Sequence, residues 1–150
     1  MIVVAIIAIL AAIALPQFNS YQTRAFNAAA LSDINNLQQA EVAYFTKFQH
    51  YAYTYNGTNE NATLQGPLEG GLLYDGNFSL GITVSKDVCL WASGKNTYFL
   101  MAKNKNGNLV YAVNNKSVNK YVKTSKIGLP LSTTGFNSSS VLPRLGFYSQ

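Results

Sequence analysis

At 150 residues the chain is about one domain long, and only 11% of it is charged, for a net charge of +5. One cysteine excludes an intrachain disulfide, and one cysteine with one histidine cannot supply the ligands of a zinc site. With no glycine loop able to cradle phosphate, catalysis and cofactor binding find no support. Structural, membrane-bound and binding roles remain.

The first element is residues 1–15, MIVVAIIAILAAIAL, which hold no polar side chain; Pro16 follows and the first charged side chain is Arg24. As a helix this run rises about 22 Å at roughly 1.5 Å per residue. A bilayer core is about 30 Å thick, so further apolar residues are expected upstream. A cleavable secretory signal is the competing reading, because Ala12-Ile13-Ala14 has the small-x-small form of a cleavage site. Against it stand the absence of Lys or Arg before the run and Pro16 just past the cut. Residues 17–53 continue without Gly or Pro, so the pattern predicts one helix over 1–53, with 1–18 as a segment for a membrane or a multi-chain core. A segment apolar on every face suits lipid or a multi-chain core better than a surface helix. Pro16 removes a helical hydrogen bond and crowds the preceding turn, which places an expected helix break within residues 8–16.

Beyond Pro16, Phe26, Ala30, Ile34, Leu37, Tyr44 or Phe45, and Phe48 recur at three- and four-residue steps, a stripe that should pack on a sheet. Glu41 interrupts it and must find a hydrogen-bond partner or lie at its edge. His50 sits near the predicted helix end among Phe48, Tyr51 and Tyr53, and the sequence places no partner beside it for acid–base work. The many helix aromatics read as packing surface rather than as a conducting path.

Residues 54–150 are expected to form the head. Turn signals at Gly57, Gly66-Pro67, Gly70-Gly71 and Gly76 mark residues 56–76 as a connecting loop. In it Asp75-Gly76-Asn77 is a fragment of a calcium loop without the further acidic ligands. Phe78, Leu80, Ile82 and Val84 alternate strictly and predict a strand. Residues 88–91, which include Cys89, read as a short edge with a buried thiol. Residues 97–103 and 109–113 predict a hairpin whose turn contains Asn106-Gly107. After Asn114 irregular structure is expected. Asn-x-Ser/Thr sequons at Asn56, Asn61, Asn77, Asn115 and Asn137 are a weak signal in a chain this rich in those residues.

The stretch from Ile2 to Phe45 resembles the N-terminal helix of the type IV pilins, close to bacterial major pilins. The matching pieces are Ile2-Val3-Val4-Ala5-Ile6-Ile7, Leu10-Ala11-Ala12-Ile13-Ala14, Pro16 with Phe18 and Tyr21, Arg24-Ala25, Ala28-Ala29-Ala30 and Asp33. The resemblance implies that the family's leader and the first residues of its mature helix would lie just upstream of Met1, and Ala8 stands where many relatives have glycine. The resemblance implies an α+β fold, a long N-terminal helix packed on a small antiparallel sheet of three or four strands. It implies a structural subunit polymerising with itself through Ile2, Val3, Val4, Ile6, Ile7, Ile9, Leu10, Ile13, Leu15, Phe18 and Tyr21, with a helix break between Ala8 and Pro16. Before assembly the subunit would sit in the inner membrane, in contact with lipid and the assembly machinery; afterwards it would belong to an extracellular filament used in adhesion, motility or DNA and surface binding. A secretion pseudopilin and a membrane-anchored binding protein that never polymerises are the alternatives.

Charge is uneven along the chain. Residues 1–85 carry a net −3, whereas residues 86–126 carry a net +7. The second stretch is either a solvated lysine face or a patch for DNA and other polyanions. The candidate residues are Lys103, Lys105, Lys116, Lys120, Lys123 and Lys126, and copies repeated along a filament would act multivalently.

Overall fold

Apolar side chains on every face, then on one stripe, produce a single 47-residue helix, α1 (Ile2–Phe48), in the computed structural model. At roughly 1.5 Å per residue it is about 70 Å long. The structure describes residues 1–116, 119–133 and 146–149, without the side chains of Glu69 and Gly70. Sequon Asn137 and the end of the expected tail around Leu145 lie outside the described residues.

The helix stops at Phe48, five residues earlier than expected. Gln49 takes a left-handed conformation at φ 60° and its N–H bonds the Phe45 carbonyl at 2.8 Å, the closing geometry of a helix C-terminus. The Tyr51 N–H then donates to the Lys95 carbonyl at 2.9 Å, which draws the chain out of helical register and into a strand.

Among the described residues nine strands follow: β1 (Tyr53–Tyr55), β2 (Leu64–Gln65), β3 (Leu68–Tyr74), β4 (Ser79–Val84), β5 (Val88–Gly94), β6 (Tyr98–Asn104), β7 (Leu109–Asn114), β8 (Tyr121–Thr124) and β9 (Tyr148–Ser149). They form two antiparallel sheets, a three-stranded β1-β3-β4 and a six-stranded β2-β5-β6-β7-β8-β9. The α+β layout with a long apolar N-terminal helix matches the expectation; the strand count of three or four does not. The expected loop over 56–76 contains β2 and β3, residues 88–91 begin an inner strand rather than an edge, and part of the tail pairs as β8 and β9. The 97–113 hairpin stands where its pattern placed it, and so does the alternating strand except for Phe78, which lies just before β4 and is half exposed.

Side-chain alternation explains why the six-stranded sheet is covered twice. Tyr98, Leu100 and Ala102 of β6 face Ala30, Ile34, Leu37 and Tyr44 of the helix in one core. Phe99 and Met101 point the other way and pack with Cys89, Trp91, Val110 and Ala112 beneath Leu131 and Phe147. All seven residues of β6 are consequently buried. Cys89 is buried, as its apolar neighbours suggested.

Candidate assembly surface

The helix has two halves with opposite fates. Residues 1–22 are all exposed, at roughly 1.5 Å per residue a projection of about 33 Å. Every residue proposed for a filament core lies on it: Ile2, Val3, Val4, Ile6, Ile7, Ile9, Leu10, Ile13, Leu15, Phe18 and Tyr21 are each more than half exposed, Leu10 at 62%. The helix is long and apolar enough to cross a membrane. The expected break is absent from the subunit, because helix runs unbroken from Ala8 through Pro16. One proline forfeits one bond and adds strain in the preceding turn, and the turns on either side carry the helix across it.

The second half grips the head by apolar packing and by three buried polar side chains. Asn27 Oδ1 accepts the N–H groups of Asn108 and Leu109 at 3.1 and 3.2 Å, and its amide donates to Asn108 Oδ1 at 2.7 Å. This ties the β6–β7 turn to the helix. Gly107 is required there, since a Cβ on it would lie 2.4 Å from Asn27 Oδ1. Asp33 accepts the Ser85 N–H and hydroxyl, both at 2.8 Å, and holds the β4–β5 connection. Glu41 accepts the Ala52 N–H at 3.1 Å and holds the link from helix to β1.

Glu41 is the exceptional one of the three. It is fully buried, and among the described residues its Oε1 has no hydrogen-bond partner. Burial pushes its carboxyl up to about 8, against a smaller opposing pull from the Ala52 N–H. It is therefore mostly protonated at neutral pH. The sequence flagged it as an interruption of the stripe; Asn27, three positions before Ala30, and Asp33, three positions after it, are buried on the same face but were not singled out by the pattern.

The proposed lysine patch is dispersed. Lys103 is 1% exposed, and its Nζ donates to the backbone carbonyls of Lys126, at 3.0 Å, and Leu129. Burial pushes its ammonium below the ordinary lysine range, with a smaller opposing contribution from Cys89. It holds the segment after β8 over the second core and is not available to a polyanion. Lys105 and Lys126 lie at the β6–β7 turn, where the Gly128 N–H bonds the Lys105 carbonyl at 2.7 Å. Lys116 and Lys120 lie at the other end of these strands, in the connection from β7 to β8, about 20 Å away at roughly 3.3 Å per residue. Lys123 sits between, its Nζ 5.8 Å from the Phe147 ring centroid. A stretch compact in sequence is thus spread along the sheet by the antiparallel register. Replacing Lys103 by Met should free the two carbonyls it binds, and hydrogen exchange at the Gly128 amide should rise while overall stability changes by less than about 2 kcal/mol. Unchanged exchange at Gly128 would show that the lysine does not hold the segment.

The structure supplies His50 with the partner that the sequence did not. Its Nε2 bonds Asp75 Oδ2 across 25 residues. Asp75 Oδ1 accepts the N–H groups of Asn77 and Phe78, both at 2.7 Å. Burial opposes the charge on this carboxyl, but these donors outweigh it and hold the group well below the usual carboxylate range. The oxygens that suggested a calcium loop are engaged by the protein itself, and the described residues contain no metal-ligating cluster. The pair borders an open cleft of about 600 Å³ with Tyr51, Tyr53, Glu60 and Lys95.

Comparison of the chain with models of known protein families, with curated proteins and with solved structures returns no match.

Proposed function

We propose that this chain is the structural subunit of a surface filament of the type IV pilus kind, polymerising through its apolar helix. The observation that carries this reading is the division of α1. Residues 1–22 are exposed on every face, while the rest is fastened to the head by Asn27, Asp33 and Glu41. One subunit cannot bury the first half. Lipid can do so before assembly, and the helices of neighbouring copies can do so afterwards, which gives a membrane-anchored precursor and a filament with heads outward.

The resemblance over residues 2–45 points the same way and favours the inner membrane as the first location and the cell surface as the last. A secretion pseudopilin is less well supported, because its head usually carries a calcium site and Asp75 here is spent on protein donors. Adhesion and motility fit the filament better than DNA capture, since Lys103 is buried and the remaining lysines are dispersed.

Electron microscopy of material sheared from cells that produce the chain tests the proposal. Long, abundant fibres composed of this subunit are expected. If the chain instead stays wholly in the membrane fraction with no fibres, it is an anchored protein and the proposal fails.

A further inference from the structure

Three dipeptides in this chain share one chemical liability: Asn56-Gly57, Asn106-Gly107 and Asp75-Gly76. In each, the glycine nitrogen can attack the side-chain carbonyl carbon of the residue before it and close a five-membered imide. Glycine permits this because no Cβ obstructs the approach and its backbone reaches conformations closed to other residues. Sequence treats the three alike, and the fold separates them.

Asp75 is nearly buried, and its carboxylate is bound by two backbone N–H groups and His50. An ionised carboxylate is a poor electrophile. In the second dipeptide Gly107 is buried, and its N–H, the would-be nucleophile, donates to the Asn104 carbonyl at 3.0 Å. The Asn106 side chain is drawn toward Asp87 at 3.4 Å, and Asn27 fixes the turn from the helix side.

Asn56-Gly57 is the opposite case. Both residues are exposed. Gly57 has φ +93° and nothing within 4 Å of the Cβ position, and among the described residues its N–H has no hydrogen-bond acceptor. Asn56 Oδ1 accepts three donors at once: the Thr58 N–H at 3.1 Å, the Thr58 hydroxyl at 3.0 Å and the Asn59 N–H at 2.8 Å. Three donors on one amide oxygen draw electrons from Cγ and stabilise the oxyanion that forms when a nucleophile adds to it. The same physics operates in an enzymic oxyanion hole. The Tyr55 hydroxyl holds the Gly57 carbonyl at 2.8 Å and steadies the turn.

We infer that Asn56 is a self-modifying site, converting without enzyme or cofactor to aspartate and isoaspartate. The Gly57 nitrogen gives up its proton to solvent and forms a bond to Asn56 Cγ. The bond from Cγ to the side-chain nitrogen breaks, and that nitrogen leaves as ammonia with a proton from solvent. Water then opens the imide at one or the other carbonyl. The net change is one water consumed and one ammonia released. The product lowers the net charge of +5 by one and sets a carboxylate close to Glu60. Where isoaspartate forms, the main chain gains a methylene beside the Tyr55–Glu60 bridge.

The test is to incubate the purified full chain in neutral to mildly alkaline buffer and follow it by peptide mapping that separates aspartate from isoaspartate, with a parallel sample in denaturant. In denaturant the two Asn-Gly sites should convert at similar rates. In the folded protein Asn56 should lead Asn106 by about 100-fold, the penalty that mispositioning of reacting groups can impose, with no isoaspartate at Asp75. A folded-state ratio equal to that in denaturant overturns the inference. Thr58→Val removes one donor from Oδ1 at an exposed position and should slow conversion several-fold. An unchanged rate would overturn the role assigned to the three donors.

Discussion

Glu41→Gln should flatten the pH dependence of stability. In the wild-type fold burial raises the Glu41 carboxyl from its ordinary 4.5 to about 8. Between these values the folded chain retains a proton that the unfolded chain has released. The stabilisation is therefore fully present below about pH 4.5 and is lost as pH rises toward 8. At about 1.4 kcal/mol per pH unit the loss approaches 5 kcal/mol. The groups closest in electrostatic influence, Tyr44 and Tyr98, are themselves pushed up, chiefly by burial, and stay neutral throughout this window. Glutamine cannot ionise, and titrations elsewhere are common to both proteins and cancel in the difference. Denaturant midpoints measured from pH 5 to 8 should therefore converge or cross, with the variant gaining on the wild type as pH rises. Parallel curves would show that Glu41 is ionised in the fold.

Leu10→Asp should abolish fibres without unfolding the head. Leu10 is 62% exposed in the subunit and lies in the bare segment before the first side chain that joins the head. The head should retain its denaturation midpoint, which distinguishes an assembly defect from misfolding. In a filament the same position would be enclosed by other helices. Burying an unpaired carboxylate there costs several kcal/mol even after relaxation, in every subunit. Fibre yield should fall to background while the chain remains in membranes. Normal yield would remove residue 10 from the buried core, and with it the proposed mode of polymerisation.

The legible parts of the fold were those with a local period. Strict alternation at Leu80, Ile82 and Val84 marked β4, and the three- and four-residue steps from Ala30 to Tyr44 marked the face the head would cover. What could not be read depends on partners distant in sequence. β3 holds Gly70 and Gly71, which look like loop residues until Gly71 pairs with Ile82 and Tyr74 with Ser79. β5 resembles an edge because its apolar run is short, but pairing with β2 and β6 makes it internal. The site residues divide the same way. The bare helix was evident from composition alone. Lys103 looked like any surface lysine until β6 placed it under Lys126 and Leu129, and His50 looked solitary until the β3–β4 turn brought Asp75 to it.

The three polar joints along the helix have a mechanical consequence. Asn27 and Glu41 lie 14 positions apart in the chain, about 21 Å along the axis at roughly 1.5 Å per residue, with Asp33 between them. Each joins a different part of the head: the β6–β7 turn, the β4–β5 connection and the start of β1. If a fibre is pulled lengthwise, tension enters through the helix and must cross to the head. Sliding one past the other would load all three joints in parallel instead of unzipping them in turn. No single joint, worth about 0.5–3 kcal/mol per hydrogen bond, sets the yield force. The head should therefore hold its place on the helix under strain, and extension should be taken up first in the bare segment that no joint restrains.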